Sequence, residues 1–149
     1  MKVSVGIFAY NEGGSIGSAL DSVCTQDLGE HSLSEIMVVS FGSTDCTNAV
    51  VHERARKNPL IRLEQQPVCR GKAASVSHFL AHAKGDILVM MSGDSELRSH
   101  RAILPLIDAL NSDPTLGIVG ARHCVINQGK RFVAFAGGRV WSTLHRVSL

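Results

Sequence analysis

The sequence of 149 residues predicts a three-layer α/β/α domain with a mostly parallel sheet. The first observation behind this class is that short apolar runs, typical of buried strands, alternate with segments of helical periodicity. The second is that glycine or small polar residues follow four of these runs, as they do at the carboxyl edge of such sheets. The third is length, since a chain of this size buries roughly 68–70% of its unfolded surface as a single domain.

The first half of the chain predicts two pairs of strand and helix. Residues 2–9 are a strand, and a helix starts within residues 11–15 because apolar side chains then recur at helical spacing. These side chains are Ile16, Ala19, Leu20, Val23 and Cys24. Residues 35–39 are a second buried strand, the Ser-Thr-Asp run at 43–45 supplies N-cap candidates for the next helix, and Asn-Pro at 58–59 ends that helix.

The second half repeats this alternation. A short strand is predicted at residues 60–64, a helix at 72–83 and another strand at 87–91. A helix at 102–110 follows, and residues 117–125 return to the sheet as a fifth strand. Since strand-helix-strand crossovers are right-handed and join parallel strands, the strands are expected to run in one direction.

Composition excludes several classes of protein. Lys and Arg number 15 against 13 Asp and Glu, and the basic residues are scattered, so no partner nucleic acid is predicted. No apolar run approaches the ~20 residues of a membrane-spanning helix, and the apolar start has no cleavage site for secretion. We therefore expect a cytoplasmic chain without a transmembrane segment. Attachment to the cytoplasmic face of a membrane is compatible with this expectation. The four cysteines form no C-x-x-C pair and are expected to be reduced packing thiols.

Four loops at the predicted carboxyl edge carry polar residues or glycine. They are residues 10–14, 40–45, 70–72 and 92–95. In a parallel sheet these loops share one edge, where helix N-termini present unpaired N–H groups and the positive end of the helix dipole. This arrangement favours an anion such as a diphosphate, and Arg70 and Lys72 add positive charge there.

Two common phosphate-binding motifs do not match. The first loop reads EGGSIG and lacks the leading glycine of the dinucleotide fingerprint G-x-G-x-x-G, while Ser40 stands where an acid would close the second strand. Lys72 is followed by Ala73, and Gln66 replaces the first glycine of a Walker A loop. A Rossmann oxidoreductase and a P-loop NTPase are therefore disfavoured.

Four motifs resemble the donor-binding half of the family-2 glycosyltransferases, which have the GT-A fold of nucleotide-diphospho-sugar transferases. The motifs are VSVGIFAYNE from Val3, EIMVVSFGSTD from Glu35, RGKAA from Arg70 and GDILVMMSGD from Gly85. The resemblance covers residues 2–127. It implies a glycosyltransferase that transfers a sugar from a nucleotide-sugar donor to an unidentified acceptor.

The resemblance implies a nucleotide site at the ends of the first two strands. Ala9, Tyr10 and Glu12 would line the base and ribose pocket. Ser40 and Phe41 occupy the positions of the family's Asp pair, where an acid reads the base edge. A neutral hydrogen bond from Ser40 contributes ~1 kcal/mol against ~1.5–3 kcal/mol for a charged one, so weaker donor binding or altered base selectivity is expected.

The resemblance also implies a diphosphate and metal site. Arg70 and Lys72 would contact the diphosphate, with a solvated lysine at a helix start as an equal alternative for Lys72. The family's Asp-x-Asp reads Ser-Gly-Asp here, so Gly93 would lie at the nucleotide and Asp94 would be the remaining ligand of Mg²⁺ or Mn²⁺. The donor would be a UDP-linked sugar. Asp45 is a further candidate near the diphosphate, and a helix N-cap is its alternative role.

The resemblance places the end of the donor half near residue 127. Residues 1–127 would form the nucleotide-sugar donor-binding domain, and residues 128–149 the start of a truncated acceptor-side segment. The acidic general base of the family would then not be present in this chain, so we expect the chain alone to be inactive. We also expect apolar residues of the tail to mediate self-association as a homo-oligomer. These are Phe132, Val133, Phe135, Val140, Trp141 and Leu144.

The sequence also allows two other functions and one other metal site. The alternative function is a non-catalytic nucleotide-sugar-binding or interaction module of the same fold. A nucleotidyltransferase of similar fold is disfavoured, because its glycine- and arginine-rich loop after the first strand is missing. His78 and His82 have the i, i+4 spacing of metal ligands, but without a third ligand they are better explained as surface histidines of a helix.

Overall fold

The structure, a computed structural model, describes residues 1–68 and 71–122. The chain divides into two compact units, Met1–Leu104 and Pro105–Leu149. The described elements, in chain order, are β1 (Lys2–Ala9), α1 (Ile16–Cys24), β2 (Ser32–Phe41), α2 (Thr47–Lys57), β3 (Ile61–Gln66), α3 (Lys72–His82), β4 (Ile87–Ser92) and α4 (Leu104–Ser112). The four described strands all belong to the first unit.

These strands form one parallel sheet in the order β3-β2-β1-β4. This confirms the predicted three-layer class and its parallel sheet, and β1 spans the predicted residues 2–9 in full. β2 runs beyond its predicted apolar core because the flanking residues still pair with neighbouring strands. Ser32 pairs with Lys2 at one end, and Phe41 pairs with Gln66 at the other.

Helices cover both faces of this sheet. α1 and α2 contact each other, and both belong to crossovers that move from β1 towards β3. α3 belongs to the crossover that returns from β3 to β4, so the right-handed rule places it on the opposite face, where it contacts β1 and β2. Ile16 and Leu20 of α1 and Val51 of α2 are buried, and Phe79 is the buried centre of α3.

The α3 face is built around Phe79. Its ring meets Phe8 edge to face, with ring centroids 6.1 Å apart and an angle of 78° between the planes. Both rings pack with Met37 and Val39 in one buried cluster. Gly6 makes room for the Phe79 ring, because a Cβ atom at position 6 would lie 2.8 Å from it.

A buried carboxylate joins several elements at the amino edge of the sheet. Glu35 of β2 is 7% exposed, and its Oε1 accepts hydrogen bonds from the Ser4 hydroxyl at 2.8 Å and the Lys84 N–H at 2.7 Å. Its Oε2 accepts one from the Arg62 guanidinium of β3 at 3.2 Å. These bonds compensate for burying the charge and fix the turn between α3 and β4.

The fifth strand predicted at residues 117–125 is wrong for residues 117–122, the part of it that the structure describes. In the second unit, an Asx-type turn follows α4, where the Thr115 N–H and hydroxyl donate to Asp113 Oδ1 at 2.9 and 2.6 Å. Beyond this turn Ile118 is 68% exposed. Apolar residues there have strand propensity, but a strand forms only where a neighbour satisfies its backbone groups.

Several sequence predictions concern the surface of the molecule. Cys24 and Cys46 are free thiols, but both are exposed at helix ends, so the packing role predicted for them is wrong. No helix among the described residues is long and apolar enough to span a membrane. The tail at residues 128–149, through which self-association is predicted, lies outside the described residues, as does the predicted domain boundary after residue 127.

Replacing Gly6 with Ala tests the packing of α3 on β1. We expect Gly6→Ala to lower the free energy of unfolding by about 1–3 kcal/mol, because the added methyl group overlaps the Phe79 ring in a filled core. Gly14→Ala is the matched control, since nothing lies within 4 Å of a Cβ atom there. Urea denaturation measures both variants, and a Gly6→Ala protein as stable as the control would contradict this packing.

Candidate functional site

The predicted polar loops meet at the carboxyl edge of the sheet. β2 and β3 lie on one side of β1, whereas β4 lies on the other side. The direction in which strands are added to the sheet therefore reverses between β1 and β4. Parallel α/β sheets bind ligands in the crevice at such a point. The loop after β1 and the turn after β4 lie there, and the loop after β2 lies beside them.

Asn11 joins the loop after β1 to the loop after β2. Its backbone has a φ of 54°, a left-handed conformation that asparagine adopts more readily than most residues. Its side-chain Oδ1 accepts a hydrogen bond from the Thr44 N–H at 2.8 Å, and its own N–H donates to the Ser43 hydroxyl at 3.1 Å. Loops that start from neighbouring strands thereby hold each other in place.

Asp45 completes this junction. Its Oδ2 accepts a hydrogen bond from the Gly13 N–H at 2.9 Å, and its Oδ1 accepts one from the Thr47 N–H at 2.9 Å and another from the Thr47 hydroxyl. These bonds, above all the one from the Thr47 hydroxyl, lower the pKa of the Asp45 carboxyl below its ordinary value of 3.8. The N-cap position of α2 is Cys46, so Asp45 is not the N-cap itself, but its carboxylate is occupied by bonds to Gly13 and Thr47, which favours a structural role over contact with a diphosphate.

Ala9 and Ser40, both predicted to line the nucleotide pocket, are register partners at the ends of β1 and β2. Their exposed fractions are 0% and 1%. The Ser40 hydroxyl donates to the Ser43 hydroxyl at 2.9 Å, the same oxygen that accepts from Asn11. Both side chains therefore support the loops, and contact of either one with a ligand stays a prediction.

Tyr10 and Phe41 follow these register partners by one residue, so they emerge side by side at the sheet edge. Their rings are stacked, with centroids 5.6 Å apart and planes at 14°. Phe41 packs against the buried cluster of the α3 face, while Tyr10 is 46% exposed. The pair gives this edge a flat aromatic surface that is open to a ligand.

The turn after β4 packs closely on the loop after β1. Gly93 is buried, and its N–H donates to the Phe8 carbonyl at 2.8 Å. A Cβ atom on Gly93 would lie 3.1 Å from the Ala9 Cβ and 3.3 Å from the Glu12 Cγ, so glycine allows this approach without displacing either neighbour. Asp94 comes next and is exposed. The close packing of Gly93 places Asp94 at the switch point.

The other predicted nucleotide contacts lie near the starts of two helices. Glu12 precedes α1, and its Oε2 accepts a hydrogen bond from the Ser15 hydroxyl at 2.9 Å. Lys72 is the exposed first residue of α3 and follows Gly71, whose φ is 81°. Arg70 lies outside the described residues.

Asp94 fits a divalent cation that a ligand helps to hold. Mg²⁺ commonly uses one or two carboxylates together with substrate phosphates, and the exposed oxygens of Asp94 suit that pattern. In the described part of the chain, no three His, Cys, Asp or Glu side chains lie close enough to hold a metal by themselves. His78 and His82 stack with ring centroids 4.3 Å apart.

A polar cavity of about 250 Å³ opens at the ends of β2 and β3. It adjoins the aromatic pair, because Gly42 directly follows Phe41 and Gln66 is the strand partner of Phe41. The polar side chains that line it are uncharged: Ser43, Thr44, Asn48, Gln65 and Gln66. The Asn48 Oδ1 is buried and accepts no hydrogen bond from the described residues.

Sequence reasoning missed the roles of Asn11 and Phe41. Asparagine directly after a strand is a signal for a left-handed turn residue whose side chain bonds to nearby backbone, and this signal was available. Phe41 differs, because its stacking on Tyr10 follows from the register of β1 with β2, which propensity and periodicity do not determine.

The sheet order and the loops at its carboxyl edge define an α/β domain with the GT-A fold of glycosyltransferases. The mannosyltransferase PcManGT from Pyrobaculum calidifontis, solved with GDP-Man and Mn²⁺, matches with a TM-score of 0.70 and 32% identity over 77% of this chain and 33% of that protein. Glucosyl-3-phosphoglycerate synthase from Mycobacterium tuberculosis, solved with Mn²⁺, UDP and phosphoglyceric acid, matches with a TM-score of 0.61 and 27% identity over 77% of this chain and 40% of that protein.

Sequence comparison identifies the family. The sequence model of glycosyl transferase family 2 matches residues 4–138, and the chain belongs to this family. Dolichyl-phosphate beta-glucosyltransferase ALG5A of Trichomonas vaginalis is 31% identical over 97 residues, which are 62% of this chain and 30% of that protein. The chain thus spans less than half the length of these relatives. The predicted family and fold are confirmed.

Asp45→Asn tests the loop junction through its pH dependence. Because folding lowers the pKa of this carboxyl, its contribution to stability is complete above the ordinary value of 3.8 and is lost as the pH falls through the lowered value. The Asn side chain replaces one carboxylate oxygen of Asp45 with an NH₂ donor, which would face the N–H of Gly13 or Thr47. We therefore expect the variant to unfold more easily at neutral pH, and this difference to shrink below about pH 4.

Thermal unfolding from about pH 3 to pH 7 measures this difference. Asp108→Asn, at an exposed position on α4, controls for the loss of one charge. A gap between the unmutated protein and Asp45→Asn that stays constant over the whole range would exclude the carboxylate as its source.

Proposed function

We propose that the chain carries the donor-binding half of a glycosyltransferase and binds a nucleoside diphosphate sugar across the carboxyl ends of β2, β1 and β4. The observation behind this proposal is the close packing of Gly93 on Ala9, which holds the exposed carboxylate of Asp94 at the switch point. A carboxylate and a diphosphate repel each other. They share this point when a divalent cation lies between them.

Mg²⁺ or Mn²⁺ fits this arrangement, with Asp94 and diphosphate oxygens as ligands. When bound, the ion supplies Lewis-acid stabilisation of the departing diphosphate. Both solved relatives contain Mn²⁺, which supports this assignment. Lys72 adds positive charge at the same edge, and the first N–H groups of α3 favour an anion there.

The nucleoside is assigned to the β2 side of β1, with Tyr10 at the base and Glu12 at the ribose. Tyr10 supports this assignment because it is an exposed aromatic ring beside the switch point. The mannosyltransferase holds a guanosine nucleotide and the mycobacterial synthase a uridine nucleotide, so the fold accommodates either base. UDP-linked sugars are the first donors to test.

Turnover of a labelled nucleotide sugar tests the activity. Transfer of the label to an acceptor or to water supports the glycosyltransferase, whereas binding without turnover supports the non-catalytic nucleotide-sugar-binding alternative. Release of pyrophosphate would instead indicate a nucleotidyltransferase.

Asp94→Ala tests the metal site. We expect the variant to lose the Mn²⁺-dependent part of UDP binding, with affinity at least about tenfold weaker in Mn²⁺, because a metal ligand is removed. Its unfolding temperature should stay unchanged, since the side chain is exposed on a turn. Calorimetric titration with UDP, with and without Mn²⁺, measures the effect.

Glu96→Ala is the matched control for Asp94→Ala, because it removes another exposed carboxylate two residues further along. It should keep the response to Mn²⁺. Equal UDP affinity with and without Mn²⁺ in the unmutated protein, or an unchanged metal response in Asp94→Ala, would overturn the assignment.

A further inference from the structure

We infer that the stacked rings of Tyr10 and Phe41 form a nucleobase platform that holds the base of the donor by stacking and without a charged hydrogen bond, so that purine and pyrimidine nucleotides bind alike. The inference rests on the proposed function, because it concerns the base of the same nucleotide. It assigns a role to Phe41, as a positioning residue that holds the ring of Tyr10.

The platform is fixed on its inner side and open on its outer side. Phe41 packs against the cluster that contains Phe8 and Phe79, so its ring is held by the core. Tyr10 lies parallel to it at 5.6 Å, and rings this close leave no gap for a third ring between them. A base therefore stacks on the outer face of Tyr10, which is 46% exposed.

The charged groups of the adjoining loops are already hydrogen bonded within the protein. Asp45 accepts hydrogen bonds from Gly13 and Thr47, and Glu12 accepts one from Ser15. The buried Ser40 hydroxyl donates to Ser43. Both Asp45 oxygens are thus engaged, and Glu12 is the residue assigned to the ribose, so the loops after β1 and β2 leave no carboxylate to select one base edge.

The polar groups beside the platform suit more than one base. The cavity next to Phe41 is lined by hydroxyl and amide side chains, and an amide offers both donor and acceptor atoms. Gln66 accepts from Ser75 through Oε1 at 3.2 Å, which leaves its NH₂ group as a donor. Stacking is equally tolerant, because every base has a π-face.

Calorimetry with UDP, CDP, ADP and GDP in Mg²⁺ tests base selection on the full chain. We expect the four dissociation constants to lie within about tenfold of one another, with the larger purines at least as tight as the pyrimidines. Tyr10→Ala should weaken all four by roughly 5- to 150-fold, the range for loss of one base-stacking ring. Tyr10→Phe keeps the ring and removes only the hydroxyl, so it should lose far less affinity than Tyr10→Ala.

Variants of Phe41 test its positioning role. Phe41→Leu retains an apolar contact with the core but removes the stack, so it should weaken all four nucleotides by a common factor smaller than that of Tyr10→Ala. Phe41→Tyr keeps an aromatic ring at this position, so it should bind the four nucleotides more tightly than Phe41→Leu does. Thermal unfolding of both variants controls for damage to the fold.

A direct test uses Tyr10 as a probe, since it is the only tyrosine of the chain. Protein labelled with ¹³C-tyrosine gives one set of ring signals in an NMR spectrum. A stacked base should shift these signals through its ring current, and each of the four nucleotides should do so in Mg²⁺. Pyrophosphate, which has no base, should leave them in place.

The outcomes separate this inference from the proposed function. Mg²⁺-dependent binding with a spread above tenfold among the bases overturns the inference and leaves the proposed function standing. Equal losses in Tyr10→Phe and Tyr10→Ala also overturn it, because the hydroxyl and not the ring would then bind the base. A chain that binds none of the four nucleotides contradicts the proposed function and the inference together.

Discussion

The candidate site depends on the hydrogen bonds by which Asn11 and Asp45 join the loops after β1 and β2. Loop backbone at a sheet edge has no ladder to hold it, so its shape comes from side chains that satisfy its N–H groups. The left-handed backbone of Asn11 costs about 1–3 kcal/mol, and several bonds of ~1 kcal/mol each offset that cost. Tyr10 directly precedes this junction, and Phe41 stands at its other side. The same bonds that shape the loops therefore set the positions of the two rings.

β1 connects this site to the core. Every residue of β1 after Lys2 is buried, so the strand is rigid up to the point where the site begins. Phe8 faces the α3 cluster, and the next residue, Ala9, supports Gly93. Tyr10 then leaves the sheet towards solvent. Successive side chains of one strand point to opposite faces of the sheet. Phe8 therefore packs in the core, Ala9 supports the turn after β4, and Tyr10 lies at the carboxyl edge of the sheet.

The fold was readable from the sequence because the central strands are buried on both faces and so appear as continuous apolar runs. Asp94 could be placed for the same reason, since it follows the end of such a run. Residues 117–122 show the limit, because an apolar run becomes a strand only beside a partner. Side-chain direction was a second limit. The Ser40 hydroxyl turns inward to Ser43, and Phe41 meets Tyr10 across a register that periodicity does not specify.

The position of β1 between β2 and β4 also determines how a nucleotide would lie in the proposed site. Neighbouring strands are about 4.7–4.9 Å apart, so the ends of β2 and β4 are separated by about 10 Å. The aromatic pair stands where β1 meets β2, and Asp94 stands where β1 meets β4. A nucleotide that stacks on Tyr10 and reaches a cation on Asp94 therefore crosses the end of β1, with its ribose over the loop of Glu12. Ala9 and Gly93 lie where this path crosses the sheet, and glycine at position 93 lets the turn after β4 pack directly against Ala9.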